Sequence, residues 1–520
     1  MSSSSDSPSP SASRAPRALP ADTSPSLVLR AEGGGGPEPW IIIVAVLLAW
    51  RIAMAAILPL SADEAYYLLW SHHLQAGYFD HPPAIAFLIR AGTLLLGDTP
   101  LGVRLMGLPL SLLATWFVWR TAAMLLKEEG KAAWAALLFN LTLMANVELL
   151  VATPDMPSIV TVAAFLWALA KVQTSGPMPG LATRDADAGA ASAFAPTRTA
   201  PGEWWLAVGA AAGLSLLSKY SVLFVGLGTA VWLLADGRGR AWLKTPWPWA
   251  GAALALAVFA PNLLWQARHG WMTFAFQFGR IDHGALTARY LAEFAGAQLG
   301  LATPLILVLA AMGWWRARRP GGDCFPLFVM VGVTLLYFLQ HALHDRVQGN
   351  WPCFLYPALA VLAADARAPR WLSRSAPPLA GAMLLALYLQ AALGIIPLKH
   401  DPVARLLARD FPAAAQSVAD SVPDGAVLTT DYETTALLRY YQPRLPVIQI
   451  NEPWRYDWAP PPSPALLKKP LVYFTATRRD QSDLVAPSFG LMSAPLAHGP
   501  NYVGYLAEDP KPGADLGRMP

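Results

Sequence analysis

Trp40-Ile-Ile-Ile-Val-Ala-Val-Leu-Leu-Ala-Trp-Arg-Ile-Ala-Met-Ala-Ala-Ile-Leu-Pro-Leu60 decides the fold, and it runs straight into Ser61-Ala-Asp-Glu-Ala-Tyr-Tyr-Leu-Leu-Trp70. The first run holds a single charge, Arg51, and a helix needs roughly 20 apolar residues to cross a hydrocarbon core about 30 Å thick. Working outward, similar stretches recur near 101–126, 132–150, 157–173, 204–218, 221–235, 247–265, 293–315, 325–341, 352–366 and 376–396. They predict an all-α polytopic membrane protein of about eleven transmembrane helices, within a range of roughly ten to thirteen. The range reflects 204–235, readable as one broken helix, and 83–97, readable as a short interfacial helix. Composition agrees. The 520 residues are 55% hydrophobic and 14% charged, with a mean hydropathy of +0.37, whereas a soluble domain carries roughly 25% charged residues. The 21 Trp suit a chain with many membrane–water boundaries, where indoles settle.

Basic residues give the sidedness. With the N-terminus placed inside and the spans alternating, the inner segments hold Lys127 and Lys131, then Arg238, Arg240 and Lys244, then Arg316, Arg318 and Arg319, then Arg367, Arg370 and Arg374. The outer loops hold fewer: Arg90, Arg104, Lys219, Arg268, Arg280, Arg289 and Arg346. That asymmetry follows the positive-inside rule and accounts for the formal charge of +4 without any nucleic-acid partner. Residues 1–36, rich in Ser, Pro and Ala, read as a disordered cytoplasmic tail, and 174–203 as a flexible connector. Residues 37–398 form the membrane domain. An odd span count leaves 399–520 on the outer side, where strand-like runs Ala426–Thr430, Pro446–Ile450 and Leu471–Thr475 predict a small mixed α/β domain. Cys324 and Cys353 fall near opposite ends of one predicted helix, too far apart for a disulfide, and read as packing residues.

Chemistry-bearing residues collect on the outer side. Asp63 and Glu64 sit beside Tyr66, Tyr67 and Trp70 directly after the first span. The competing reading is a helix N-cap by Ser61 or Asp63, with the rings as membrane anchors. Gly77-Tyr-Phe-Asp-His-Pro-Pro83 supplies Asp80 and His81, or else a simple turn. Ala152-Thr-Pro-Asp-Met-Pro157 supplies Asp155, or else an N-cap. Lys219, in Leu216-Leu-Ser-Lys-Tyr-Ser221, is either a snorkelling lysine or a site cation. Later loops add Arg268, His269, Arg280, Asp282 and His283, then His341, His344, Asp345, Arg346, Asn350 and Trp351. Arg51, costly inside a span unless paired or wet, is expected to meet Glu148 or Asp155 as a structural ion pair. One-sided gathering of acids, histidines and a few cations suits a substrate with a phosphate to neutralise and a hydroxyl to deprotonate.

The run Asp63–Trp70, then Gly77–Pro83, then Gly97-Asp-Thr-Pro-Leu-Gly-Val-Arg104 resembles the bacterial branch of the protein mannosyltransferases, and is similar to the aminoarabinose transferases of lipid A. Both are integral-membrane GT-C glycosyltransferases of the family 39 type. Thr153-Pro-Asp155, Gly213–Tyr220 and Asn350-Trp351 follow in the expected order, so the likeness covers about 40–365. It implies transfer of a sugar from an undecaprenyl- or similar polyprenyl-phosphate donor at the bacterial inner membrane. The acceptor is a lipid (lipid A or another glycolipid), a glycan or a protein facing the periplasm. Asp63 matches the family's base or acceptor-positioning acid, Glu64 its neighbour, Asp155 a second-loop acid, and Lys219 a lysine near the donor phosphate. Where the aminoarabinose branch has acid-Lys-Pro, this chain has Asp80-His81-Pro82, which makes phosphate binding there depend on histidine protonation. In the implied displacement Asp63 takes the acceptor's proton, while Lys219 with Arg346 or Arg268 neutralises the leaving phosphate. No cofactor is required. A divalent ion at Asp63, Asp80 or His81 is compatible with those ligands, though their spacing fits no standard metal motif. The alternative is a transporter of a lipid-linked sugar, which would hold its substrate near the bilayer midplane.

Overall fold

A proline ends the first span. Helix Pro39–Ile57 stops at Leu58, whose backbone is extended because it precedes Pro59, and a residue before proline is pushed out of the α region. Two residues later Ser61 starts helix Ala62–His72 with a capping box: its hydroxyl accepts from the Glu64 N–H, and the Glu64 carboxylate accepts from the Ser61 N–H. The computed structural model describes residues 38–175, 201–279, 286–398, 401–513 and 517–520. The predicted tail, the 176–200 part of the connector, and Arg280, Asp282 and His283 lie outside the described residues.

All the apolar stretches picked out in the sequence are helical, but fewer than expected make an uninterrupted crossing. Among the described residues six helices are long and apolar enough: Pro39–Ile57, Pro100–Leu126, Asp155–Ser175, Trp247–Arg268, Phe325–Ala342 and Arg370–Leu393. The number rises to eight if two sharply bent pairs, Tyr220–Leu243 and Arg289–Arg316, each count as one span. The rest are short or broken. Glu129–Leu141 and Leu143–Glu148 part at Thr142, Trp204–Leu216 stops ahead of Lys219, and Cys353–Ala364 is short. Where the second bent pair turns, Thr303 has a φ of 62° and Pro304 opens the next helix. The Asp155–Ser175 helix is the bundle's centre, with 78% of its apolar window buried against 22% for Pro39–Ile57.

Among the described residues Arg51 is in no ion pair. Its guanidinium donates to the side-chain carbonyls of Asn146 (3.1 Å) and Asn140 (3.3 Å), and the Tyr388 hydroxyl shares the Asn146 oxygen at 3.2 Å. Neutral amides satisfy the buried cation where carboxylates were expected.

The C-terminal region carries a six-stranded mixed sheet: β1 (Ala426–Thr429), β2 (Val447–Gln449), β3 (Leu471–Ala476), β4 (Phe489–Met492), β5 (Leu496–Ala497) and β6 (Tyr502–Pro510). Its order is β2-β1-β3-β6-β4, with β1 parallel to β2 and β3, β6 antiparallel to its neighbours, and β5 paired with β6 off this path. Strand alternation splits the core. Val427, Val447, Val472 and Phe474 join the main hydrophobic core, whereas Leu428, Ile448, Leu471 and Tyr473 face a small second core with Val485 and Phe489. Between β1 and β2, helix Tyr432–Tyr441 packs on Ala62–His72, so the domain sits on the first loop.

Candidate active site

Four chain segments meet at one end of the bundle: the loop after the first span, the start of Asp155–Ser175, the break at Lys219, and the underside of the C-terminal domain. The loop Ala76–Asp80 is held from behind by the Trp247–Arg268 helix and its continuation. Asn262 donates to the Ala76 carbonyl (2.8 Å), Thr273 to that of Tyr78 (3.0 Å) and Gln277 to that of Asp80 (2.9 Å). Tyr78 stacks on Trp70 with centroids 4.1 Å apart. Gly77 has to be glycine, since a Cβ there would lie 2.6 Å from the Trp265 ring.

Glu64 and Asp63, adjacent in sequence, have unlike surroundings. Glu64 is fully buried. Its two oxygens accept from Arg104 Nε and Nη2 at 2.6 Å each, from the Ser61 and Ala152 N–H groups, and from the Ser61 hydroxyl. Burial alone would raise this carboxyl, but Arg104 and the backbone donors hold it below its ordinary value. The sequence grouped Glu64 with the reacting acids; with no oxygen free, it is instead a structural anchor. Ser61, not Asp63, caps the helix; the half-buried Asp63 accepts, among the described residues, one hydrogen bond, from the Tyr432 hydroxyl of the C-terminal domain (3.0 Å). Burial pushes the Asp63 carboxyl up to about 6; the Tyr432 hydrogen bond opposes the rise, and the charges of Glu433, Asp80 and Glu64 add to it.

Asp80 is enclosed. Tyr66 donates to Oδ2 at 2.9 Å and Arg455 of the C-terminal domain ion-pairs with Oδ1. The Arg455 guanidinium also binds Glu452 (2.9 Å) and lies over the rings of Tyr432, Phe79 and Phe276 at 4.7, 5.2 and 5.7 Å. Neither Arg455 nor Tyr432 was singled out in the sequence, where the tail carried no motif. His81 follows, half-buried and edge-on to the buried Tyr67 ring, centroids 6.3 Å apart. Among the described residues no three His, Cys, Asp or Glu side chains are grouped to hold a metal ion.

Asp155 and Lys219 form a buried ion pair. Asp155 is no N-cap: Oδ1 also accepts from the Cys353 thiol (2.9 Å), and Oδ2 from Asn350 (2.8 Å). Cys353, read as packing, is thus a ligand of this acid. Glu148 is within electrostatic range of Asp155, Lys219 and Asp63, making it a fifth carboxylate of the cluster. Burial, then the neighbouring Asp63, Tyr432, Asp80 and Asp155, push the Tyr67 phenol well above its ordinary range, so Tyr67 stands among the acids as a proton-bearing hydroxyl. Arg346 is not brought in: it is exposed and pairs with Glu293 at 3.3 Å. Arg268 is likewise exposed.

A family model described as dolichyl-phosphate-mannose-protein mannosyltransferase matches residues 80–181 and 191–265. The lipid A galacturonosyltransferase RgtD of Rhizobium johnstonii is 27% identical over 335 residues, 63% of this chain and 65% of that protein. In these matches the chain resembles the GT-C glycosyltransferases. It spans just under two-thirds of that curated relative's length. The crystal structure of ArnT from Cupriavidus metallidurans in the apo state superimposes with a TM-score of 0.60 at 17% identity, over 90% of this chain and 97% of that one. ArnT bound to undecaprenyl phosphate gives 0.59 at 18% identity, over 90% and 98%. These likenesses show the fold, the GT-C fold of a multi-pass membrane protein.

Proposed function

We propose that this chain transfers a sugar from a polyprenyl-phosphate donor to an acceptor hydroxyl on the periplasmic side of the bacterial inner membrane. The observation that carries the reading is the contrast between Asp63 and its neighbours. Glu64, Asp80 and Asp155 each pair with a cation, while Asp63 pairs with none and is raised toward neutrality. A base works best with a pKa near the operating pH. The acceptor oxygen attacks the anomeric carbon, Asp63 takes its proton, and the carbon–oxygen bond to phosphate breaks with the electron pair leaving on the phosphate. Lys219, released in part from Asp155, neutralises that phosphate. Phosphate is already a competent leaving group, so the step needs neither cofactor nor metal. The lipid A acceptor named for the Rhizobium relative and the undecaprenyl phosphate seen in one ArnT structure favour a lipid A-type glycolipid and a C55-class carrier. Sidedness rests on the basic residues at the opposite end of the bundle.

The test is transfer of label from a panel of radiolabelled polyprenyl-phosphate sugars to envelope lipids by the purified chain. Label in a new lipid names the sugar and the acceptor together. No transfer by folded protein from any donor, with flipping of the donor in vesicles, would replace the reading with that of a transporter. The pH profile is specific. The reactive form is the carboxylate, so the rate is expected to rise as pH increases through about 6. Tyr432→Phe removes a hydrogen bond that favours the charged form and is expected to move that limb to higher pH. A limb that stays put would show that Asp63 does not set it.

A further inference from the structure

The end of the bundle away from the acids holds a cavity of about 700 Å³. Helix Gly107–Leu126 leaves the acid-bearing end at Arg104 and reaches this one at Lys127, and Pro304–Arg316 ends here with Arg316. Six cations line the cavity: Lys127, Lys131, Arg316, Arg318, Arg319 and Arg367. Two acids share the lining, and each is already saturated. Asp323 binds Lys127 (2.8 Å) and Arg238 (3.2 Å), and Asp365 binds Arg316 (2.8 Å) and Lys131 (3.7 Å). Arg318, Arg319 and Arg367 pair with no carboxylate among the described residues. Arg318 lies instead over the Trp315 ring, 4.4 Å from its centroid, and that ring is 60% exposed.

The positive-inside rule accounts for basic residues at this end, but scattered anchors would point outward into water. Here Arg318, Arg319 and Arg367, though exposed, line one concave space of ligand size, whose walls are braced by the two acids and whose apolar side is Leu125, Leu126 and Trp315. A free anion would need the cations alone. The apolar wall and the outward indole suit a ligand with a charged head and an acyl body at the membrane boundary. We propose that this cavity binds the phosphate headgroup of an anionic membrane lipid, with Arg318, Arg319 and Arg367 as its charge partners.

Native mass spectrometry and thermal unfolding of the full chain in uncharged detergent test this with three probes: diphosphatidylglycerol, phosphatidylcholine and inorganic phosphate. Diphosphatidylglycerol is expected to stay bound and raise the unfolding midpoint, and the other two to do neither. A basic group near an anionic headgroup is worth roughly a factor of five, so the triple variant Arg318→Ala, Arg319→Ala, Arg367→Ala should bind on the order of a hundredfold more weakly. If that variant fails to insert, Arg319→Ala and Arg367→Ala singly carry the test, each with about a fivefold loss. Equal retention of phosphatidylcholine, or undiminished affinity in the variants, would overturn the site. A midpoint shift reproduced by inorganic phosphate would overturn its assignment to a lipid.

Discussion

Asp63→Asn is expected to lower the rate of sugar transfer by roughly 10²–10⁴-fold, the range that a positioned general base contributes, with little change in the amount of folded protein. The substitution preserves shape, and the amide can still accept from the Tyr432 hydroxyl that now meets Oδ1 at 3.0 Å. Only proton uptake is lost. The rate should therefore fall at saturating donor, while donor retention, measured with a non-transferable analogue, should hold. The acid limb near pH 6 should vanish from what activity remains. A variant with near-normal turnover would remove the base assignment and shift attention to Glu148, the other carboxylate of the cluster with no cation partner at ion-pair distance.

Arg104→Met is expected to have the largest effect on stability. The guanidinium has five N–H donors, and all are engaged: two on Glu64, and the others on the carbonyls of Ala55, Leu58 and Pro59 at 3.3, 2.7 and 2.8 Å. Removing one partner of a buried pair leaves the other charge stranded, at a cost of about 3–5 kcal/mol. Three carbonyls at the end of the first span would also lose their donor. Loss of monodisperse protein after solubilisation, or a large drop in unfolding midpoint, is the readout. The double variant Glu64→Leu, Arg104→Met removes both charges and should recover part of the loss. If Arg104→Met unfolds no more readily than wild type, the anchoring role is wrong.

The same first loop shows what local sequence can carry. Ser61 with Glu64 three residues on is a capping box, and it folded as one because both partners lie within a single helical turn. β1, β2 and β3 emerged within a residue or two of their predicted runs, since apolar runs bounded by turn residues mark buried strands without tertiary help. What stayed hidden depends on distant pairing. Arg455 meets Asp80 across 375 positions, and nothing near Pro453-Trp-Arg-Tyr456 announces a partner. Cys353 looked apolar because its role is fixed only by the arrival of Asp155. Arg51 illustrates a different blindness: charge was sought for charge, whereas two asparagines supplied it with acceptors. Arg346 shared a loop with Asn350, yet only the asparagine reaches Asp155. Only the break within 204–235 was legible; those at Thr142 and Thr303 were read through as continuous spans.

Tyr432 and Arg455 give the chain an unusual division of labour. The family match ends at residue 265, whereas two of the side chains that hold Asp63 and Asp80 arrive from beyond 430. A chimera that kept the membrane half and took its tail from another protein of this fold would therefore inherit someone else's contacts to both acids. Because Val427, Val447, Val472 and Phe474 of that tail also belong to the main core, residues 401–520 are a wall of the acid cluster and not an accessory to it.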